Sequence, residues 1–243
     1  MERIIERTDD GSATLFVPEL NEHYHSTKGA RTESQHIFID MGLKASPAAT
    51  PRVLEIGFGT GLNAWLTLEE AERSRRNIHY IGLELYPLDW QTVEQLGYIS
   101  SDEQLTIHRK QTTTDEQFTP NEEKQQSAIE LFKQLHTSPW EKDVQLTPHF
   151  TLRKIETDVN KWRVENSPFN LVYFDAFAPE KQPEMWSQEL FNRLYVLLDR
   201  DGILTTYCAK GVVRRMLQTA GFTVERLPGP PGGKREILRA RKQ

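Results

Sequence analysis

The sequence predicts an α/β fold built on a mostly parallel sheet with helices on both faces. Three observations carry that expectation. Apolar, β-branched runs alternate with stretches of helical periodicity along the chain. Three of those runs end in a carboxylate, at Glu55, Glu84 and Asp175. The first is followed at once by Gly57, Gly59 and Gly61 and then by a helix pattern. Glycine at these positions permits φ > 0 and lets a ligand approach bare backbone.

Residues 1–50 precede the first clear strand and are expected to form an N-terminal extension packed on a core domain of residues 51–243. Thr14-Leu15-Phe16-Val17 reads as a short strand stopped by Pro18, which has no N–H to donate. Residues 29–43 read as a helix, with Ile37 and Met41 spaced for burial. Residues 46–51 have the composition of a linker. Val53-Leu54-Glu55-Ile56 is the first strand of the core, and residues 60–75 its crossover helix, with Leu62, Trp65, Leu66 and Leu68 on the apolar side. Residues 79–84 form the second strand, and Trp90, Val93 and Leu96 mark the next helix.

Residues 102–148 are polar and read as an irregular insertion, with one helical stretch near Ile129, Leu131, Phe132 and Leu135. A strand follows at 150–155 and another at 169–175. Met185, Trp186, Leu190, Phe191, Leu194 and Leu197 give a helix pattern, residues 202–207 a strand, and Val212, Val213, Met216, Leu217 and Ala220 a last helix that Gly221 stops. Residues 222–227 and 235–240, joined by a proline–glycine turn, predict a C-terminal β-hairpin.

With 243 residues the chain is long enough to bury a full core without staples. Its single cysteine, Cys208, excludes an internal disulfide and a cysteine-based zinc site, which favours a reducing, cytoplasmic location. No run of about 18 apolar residues is present to span a membrane. Residues 1–10 are charged, unlike a secretory signal. The net charge of −5 argues against a long nucleic-acid footprint but leaves room for a basic patch on one face.

The glycine spacing separates two cofactor classes. Dinucleotide folds use G-x-G-x-x-G, whereas the gaps here are single. Glu55 sits just before the first glycine, where it would repel a pyrophosphate but suit a sulfonium and an amino group. The segment resembles motif I of class I S-adenosylmethionine (AdoMet) methyltransferases, which have a Rossmann-like sheet ending in a β-hairpin. Glu84, 29 positions after Glu55, is placed to accept hydrogen bonds from ribose hydroxyls. Asp158, after the third strand, suits either the adenine amine or a helix N-cap.

Asp175 opens Asp175-Ala176-Phe177-Ala178-Pro179, an acid with a small, fixed lip at a strand's carboxyl end, where open α/β sheets bind ligands. A carboxylate there can orient an amine, take its proton and stabilise the charge of a new N–C bond. Cys208 has no apparent partner base, so it reads as a packed thiol, and the target as a nitrogen or oxygen rather than a pyrimidine carbon. His23, Tyr24, His25, Glu33 and His36 match no metal-ligand spacing; hydrogen bonding to substrate is the expectation, and no metal is expected. Gly232-Gly233-Lys234-Arg235-Glu236 suits either a phosphate or a solvated hairpin turn.

Together these residues resemble the methyltransferases that complete 5-methylaminomethyl-2-thiouridine at the tRNA wobble position. In some bacteria that activity is one half of a bifunctional protein with an FAD-dependent oxidase. The signatures are Tyr24-His25-Ser26 with Gly29 and Glu33, the Glu55-to-Asn63 segment, Glu84 with Tyr86-Pro87-Leu88, Asp175 through Trp186, Ala209-Lys210-Gly211, and Gly233-Lys234-Arg235-Glu236. The resemblance implies AdoMet as donor and a 5-aminomethyl wobble uridine as acceptor, with the tRNA anticodon stem-loop as partner.

By the same resemblance, Asp175 is the catalytic residue at the amine and also borders the cofactor. Glu55, Gly57, Phe58, Gly59, Gly61 and Asn63 hold the methionine part, Glu84 the ribose and Asp158 the adenine side. Tyr24, His25, Ser26, Phe177, Pro179, Lys210, Lys234 and Arg235 line the substrate pocket or reach RNA. The sequence ends at Gln243 without a second glycine-rich motif, so FAD chemistry is not expected of it. A separate FAD-dependent oxidase, or enzymes acting upstream on the wobble uridine, are the partners this suggests. Three alternatives stay open on the residues alone: a small-molecule amine or oxygen methyltransferase, an aminopropyltransferase, and a non-catalytic nucleoside- or RNA-binding module.

Overall fold

A computed structural model describes residues 2–9, 11–108, 123–163 and 168–243. The chain begins with β1 (Ile4–Arg7), β2 (Ala13–Val17) and β3 (Glu22–His23), a small antiparallel sheet in the order β1-β2-β3. β2 ends one residue before Pro18, and Leu15 and Ala13 are wholly buried in the same cluster as the core strands. The predicted helix of residues 29–43 is broken in two. α1 (Ala30–Ser34) runs into a π-helical turn, Gln35–Asp40, that buries Ile37, Phe38 and Ile39; Met41 is only partly buried.

The core alternates as expected. β4 (Arg52–Ile56) leads through the glycine loop to α2 (Leu62–Ser74), then β5 (Ile78–Glu84) and α3 (Trp90–Glu94), which Asp89 caps by accepting Thr92 N–H at 2.7 Å. The stretch read as irregular contains regular structure: β6 (Gln104–His108) pairs with β7 (Glu123–Ser127), and α4 (Ala128–Thr137) and β8 (Asp143–Thr147) follow. Residues 109–122 of that stretch lie outside the described residues. α4 is the helix signalled by Ile129, Leu131, Phe132 and Leu135, and the last three are buried.

β9 (Phe150–Glu156) and β10 (Phe169–Phe174) follow. α5 (Gln188–Leu197) starts later than the apolar spacing suggested. Ser187 caps it by accepting Leu190 N–H at 3.1 Å, which leaves Met185 in a 3-10 turn and Trp186 before the helix. β11 (Leu198–Thr206), α6 (Gly211–Ala220), β12 (Thr223–Pro228) and β13 (Glu236–Arg241) complete the chain. Gly221 ends α6 in the left-handed conformation, φ 111°.

The main sheet has eight strands in the order β12-β13-β11-β10-β4-β5-β9-β8. β9, β5, β4, β10 and β11 are parallel neighbours, while β13 is antiparallel to both β11 and β12. Successive residues of β4 divide between the two faces. Val53 faces the cluster under α2 and α4, whereas Leu54 and Ile56 face that under α5 and α6. Both faces are thereby covered, which is why the strands read as near-continuous apolar runs. From β4 the chain winds outward to β5 and β9, then returns to β10 on the other side of β4. The direction of winding reverses between β4 and β10, so a crevice opens above their carboxyl ends.

Candidate active site

The glycine loop and Asp175 meet in that crevice. Asp175 N–H donates to Ile56 O at 3.1 Å, joining the ends of β10 and β4. The N–H groups of Gly57 and Phe58 both reach Leu83 O at 3.0 Å. Gly57 has φ 89°, and a Cβ on it would lie 2.9 Å from Asp175 O; only glycine fits. Around these ends lies a cleft of about 910 Å³. Its walls include Tyr24, His25 and Ser26 after β3, the loop residues Gly57, Phe58 and Gly59, and Asn63. Glu84, Asp158, Asp175, Phe177, Pro179, Lys210, Lys234 and Arg235 complete the sequence-predicted residues found there.

Two predicted residues are not on the wall. Glu55 is wholly buried beneath the floor, where its Oε1 accepts from Asn63 Nδ2 at 2.9 Å. Burial pushes its carboxyl well above the usual range, with Tyr80 and Asn63 partly opposing the shift. Its observed contact is with Asn63, not with the open cleft. Gly61 is the left-handed residue entering α2, φ 69°, and its missing side chain makes room for His136, whose Nε2 would lie 2.7 Å from a Cβ. That ring donates from Nε2 to Thr60 O at 3.0 Å, and burial lowers its pKa to about 3.

Asn63 is the hinge of the floor. Its one amide nitrogen donates to both Glu55 Oε1 and Asp175 Oδ2, the latter at 2.8 Å. Its Oδ1 is buried and has no hydrogen-bond partner among the described residues. Asp175 itself is pushed up to about 7, chiefly by burial, with the Asn63 hydrogen bond opposing. Such a carboxyl exchanges a proton near neutrality.

Glu84 is held at the rim by two backbone donors, Gly59 N–H and Tyr86 N–H, both at 2.8 Å. Asp158 caps no helix among the described residues. It accepts Asn160 N–H at 2.9 Å, closing a turn, and it lines the cleft. Phe58 turns its ring down into a pocket of Gly82, His136 and Trp140, so it anchors the loop. Lys154 lies under the same loop, 4.9 Å from the Trp140 ring centroid, donates to His136 O, and has a pKa lowered by burial to about 8.

The lip after Asp175 is pinned at two successive carbonyls, those of Ala176 and Phe177. Trp186 Nε1–H donates to Phe177 O at 2.7 Å and Tyr207 O–H to Ala176 O at 2.8 Å. Tyr24 packs edge-on against Phe177, centroids 5.1 Å apart. His25 joins Thr60 through Nε2 at 2.7 Å, and burial lowers its pKa to about 4. Ser26 N–H donates to Glu33 at 3.1 Å. Lys210 is ion-paired with Glu180, and Arg235 is exposed at the mouth. Cys208 is buried, and burial raises its thiol pKa, as befits an unreactive side chain. Sequence reasoning missed Tyr207, an aromatic at a strand end with no motif around it. It also missed Gly82, although a glycine within a strand is itself a signal of close approach.

A doubly covered parallel sheet with a glycine loop and an acid at its switch point places a ligand cleft where such sheets bind nucleoside cofactors. The chain belongs to a family of S-adenosyl-L-methionine-dependent methyltransferases, matched over residues 119–243. It is 29% identical over 251 residues to the tRNA 5-methylaminomethyl-2-thiouridine biosynthesis bifunctional protein MnmC of Cupriavidus metallidurans, covering 99% of this chain and 35% of that protein. It is 30% identical over 238 residues to the protein of the same name from Magnetococcus marinus, covering 93% of this chain and 32% of that one. The chain thus spans about a third of the length of these relatives. The crystal structure of MNMC2 from Aquifex aeolicus superposes on 98% of this chain and 70% of its own, with a TM-score of 0.70 at 24% identity, a likeness of fold. Among the described residues no helix is long and apolar enough to cross a membrane.

Proposed function

We propose that this chain methylates the 5-aminomethyl group of a wobble (2-thio)uridine in tRNA, using AdoMet. The observation that carries the reading is Asp175. It stands at the carboxyl end of β10, on the cleft wall, tied to Asn63 and titrating near neutrality. The names of the relatives supply the acceptor class.

The donor set fits AdoMet. The free Oδ1 of Asn63 suits the methionine ammonium, the open glycine loop its backbone, Glu84 the ribose hydroxyls and Asp158 the adenine side. When bound, the cofactor supplies an electrophilic methyl group on a sulfonium. The protein's share is position and proton handling. An alkylamine is protonated at neutral pH and has no lone pair to donate. The Asp175 carboxylate accepts a proton from the acceptor's –NH₃⁺, which leaves a neutral –NH₂ in place, and the resulting carboxylic acid passes its proton to water. As nitrogen regains positive charge in forming the N–C bond, the regenerated Asp175 carboxylate stabilises it. The pinned lip fixes the nitrogen's direction of approach, and such positioning supplies most of the acceleration.

In this scheme the target base is splayed out of its stack into the cleft. Asp175→Ala tests the assignment. The variant should bind AdoMet within a few-fold of the parent by calorimetry and lose about 10²–10⁴-fold in turnover. Full turnover in the variant would remove Asp175 from the chemistry.

A further inference from the structure

We propose that Glu33 and the face of Tyr207 form an ammonium seat on the acceptor side of the cleft, filled in the free chain by Lys234 and taken over by the charged amine of the acceptor. This rests on the amine-methylation reading and adds to it the group that receives the amine before Asp175 takes its proton.

Two parts of the seat are fixed. Glu33, on α1, is only 12% exposed, and its Oε2 accepts Ser26 N–H at 3.1 Å. Its Oε1 faces Lys234 Nζ at 2.8 Å. The same Nζ lies 4.2 Å from the centroid of the Tyr207 ring. That ring is locked, because its hydroxyl donates to Ala176 O, the residue after Asp175. A fixed carboxylate beside a fixed aromatic face is a site for an alkylammonium. Glu33, Lys234, Tyr207 and Asp175 line the same cleft, and the Tyr207 hydroxyl is bonded to the residue next to Asp175.

The third part is replaceable. Lys234 is 44% exposed and arrives on Gly232-Gly233. Gly232 has φ 72°, with no atom within 4 Å of where its Cβ would be. A half-exposed lysine pair contributes little net stability. An acceptor ammonium can therefore displace Lys234 at small cost. The exchange leaves the charge at the seat itself unchanged, and Lys234 is released toward the mouth beside Arg235. The ligand class is a primary alkylammonium carried on a planar ring, such as an aminomethyl pyrimidine.

Calorimetric titration of the full chain with 5-aminomethyluridine, and with uridine as the control, tests the exchange. Lys234→Met should bind the aminomethyl nucleoside several-fold tighter, because the built-in competitor is gone. Glu33→Gln should bind it on the order of tenfold more weakly, and uridine binding should be unchanged in both. Weaker or equal binding by Lys234→Met, or parental binding by Glu33→Gln, overturns the seat. Ethylammonium chloride, followed by NMR at the Ser26 amide and the Glu33 side chain, separates the two readings. If it shifts those signals while wild-type protein shows no preference for the aminomethyl nucleoside over uridine, the seat stands and the amine-methylation reading falls. If neither amine moves them, the seat is overturned.

Discussion

Asp175 and Glu55 are two carboxyls held by one amide, yet their surroundings assign them different work. Asp175 borders the cleft and burial pushes its carboxyl up to about 7, whereas Glu55 is sealed beneath the cleft and burial pushes its carboxyl well above the usual range. The acid at the end of the first strand was legible in the sequence. Its role was not, because a strand-end carboxylate looks the same whether it meets the ligand or supports the residue that does. Two outcomes follow. Asp175 accepts a proton only as the carboxylate, the form that dominates above its folded pKa. So kcat/KM should rise about tenfold per pH unit below a midpoint near 7 and level off above it, measured over pH 5–9. An acid limb with its midpoint near the ordinary aspartate value would show that burial does not raise Asp175 in the free enzyme. For Glu55, a neutral isostere preserves what the neutral acid does. Glu55→Gln should keep AdoMet affinity within about threefold by calorimetry, on the order of RT in free energy. A loss of about a hundredfold or more would mean that a negative charge at this position holds the cofactor after all.

At the scale of elements, the glycine loop works because helices and strands on both sides approach it closely. Gly57 meets β10, Gly61 meets α4, and Gly82 on β5 makes room for the Phe58 ring. Gly61→Ala places a Cβ 2.7 Å from His136 Nε2 at a residue with φ 69°. The substitution should cost about 1–3 kcal/mol. At roughly 2–4 °C per kcal/mol for a chain of this size, calorimetric unfolding should show a Tm lower by several degrees; an unchanged Tm would mean the loop has slack that the packing denies. Elements with a strong apolar period were readable. α2 and β10 fall within two residues of where the pattern placed them. β1 was not, because it is exposed throughout and has no alternation; β6 (Gln-Leu-Thr-Ile-His) and β8 (Asp-Val-Gln-Leu-Thr) do alternate, but over only five residues each within a polar stretch. The early start read for α5 has a specific cause. Met185 and Trp186 continue the helical spacing, but Trp186 is spent on pinning Phe177, and Ser187 sets the helix start.

Across the whole molecule, the site is assembled from both ends of the chain. Glu33 and Lys234, 201 positions apart, pair over a cleft whose floor comes from the middle. Linear motifs identified the members without indicating which would touch. The pairing arises only once the C-terminal hairpin is laid beside β11 and the N-terminal segment folds over α2. The same closure gives a molecule of net charge −5 a cleft mouth with Lys210, Lys234 and Arg235 around it. Lys210 and Lys234 are ion-paired with Glu180 and Glu33, and Glu22, Glu84, Asp158 and Glu184 share the wall, so the charge that an acceptor meets depends on whether those pairs open. Acceptor identity is therefore a property of the assembled mouth and floor together, and it is best tested on the intact substrate. The purified chain incubated with AdoMet and tRNA bearing 5-aminomethyluridine, followed by mass spectrometry of the released nucleosides, should convert that nucleoside to one heavier by a single CH₂. No gain of mass on the tRNA, with methyl transfer confined to free small amines, would contradict the account.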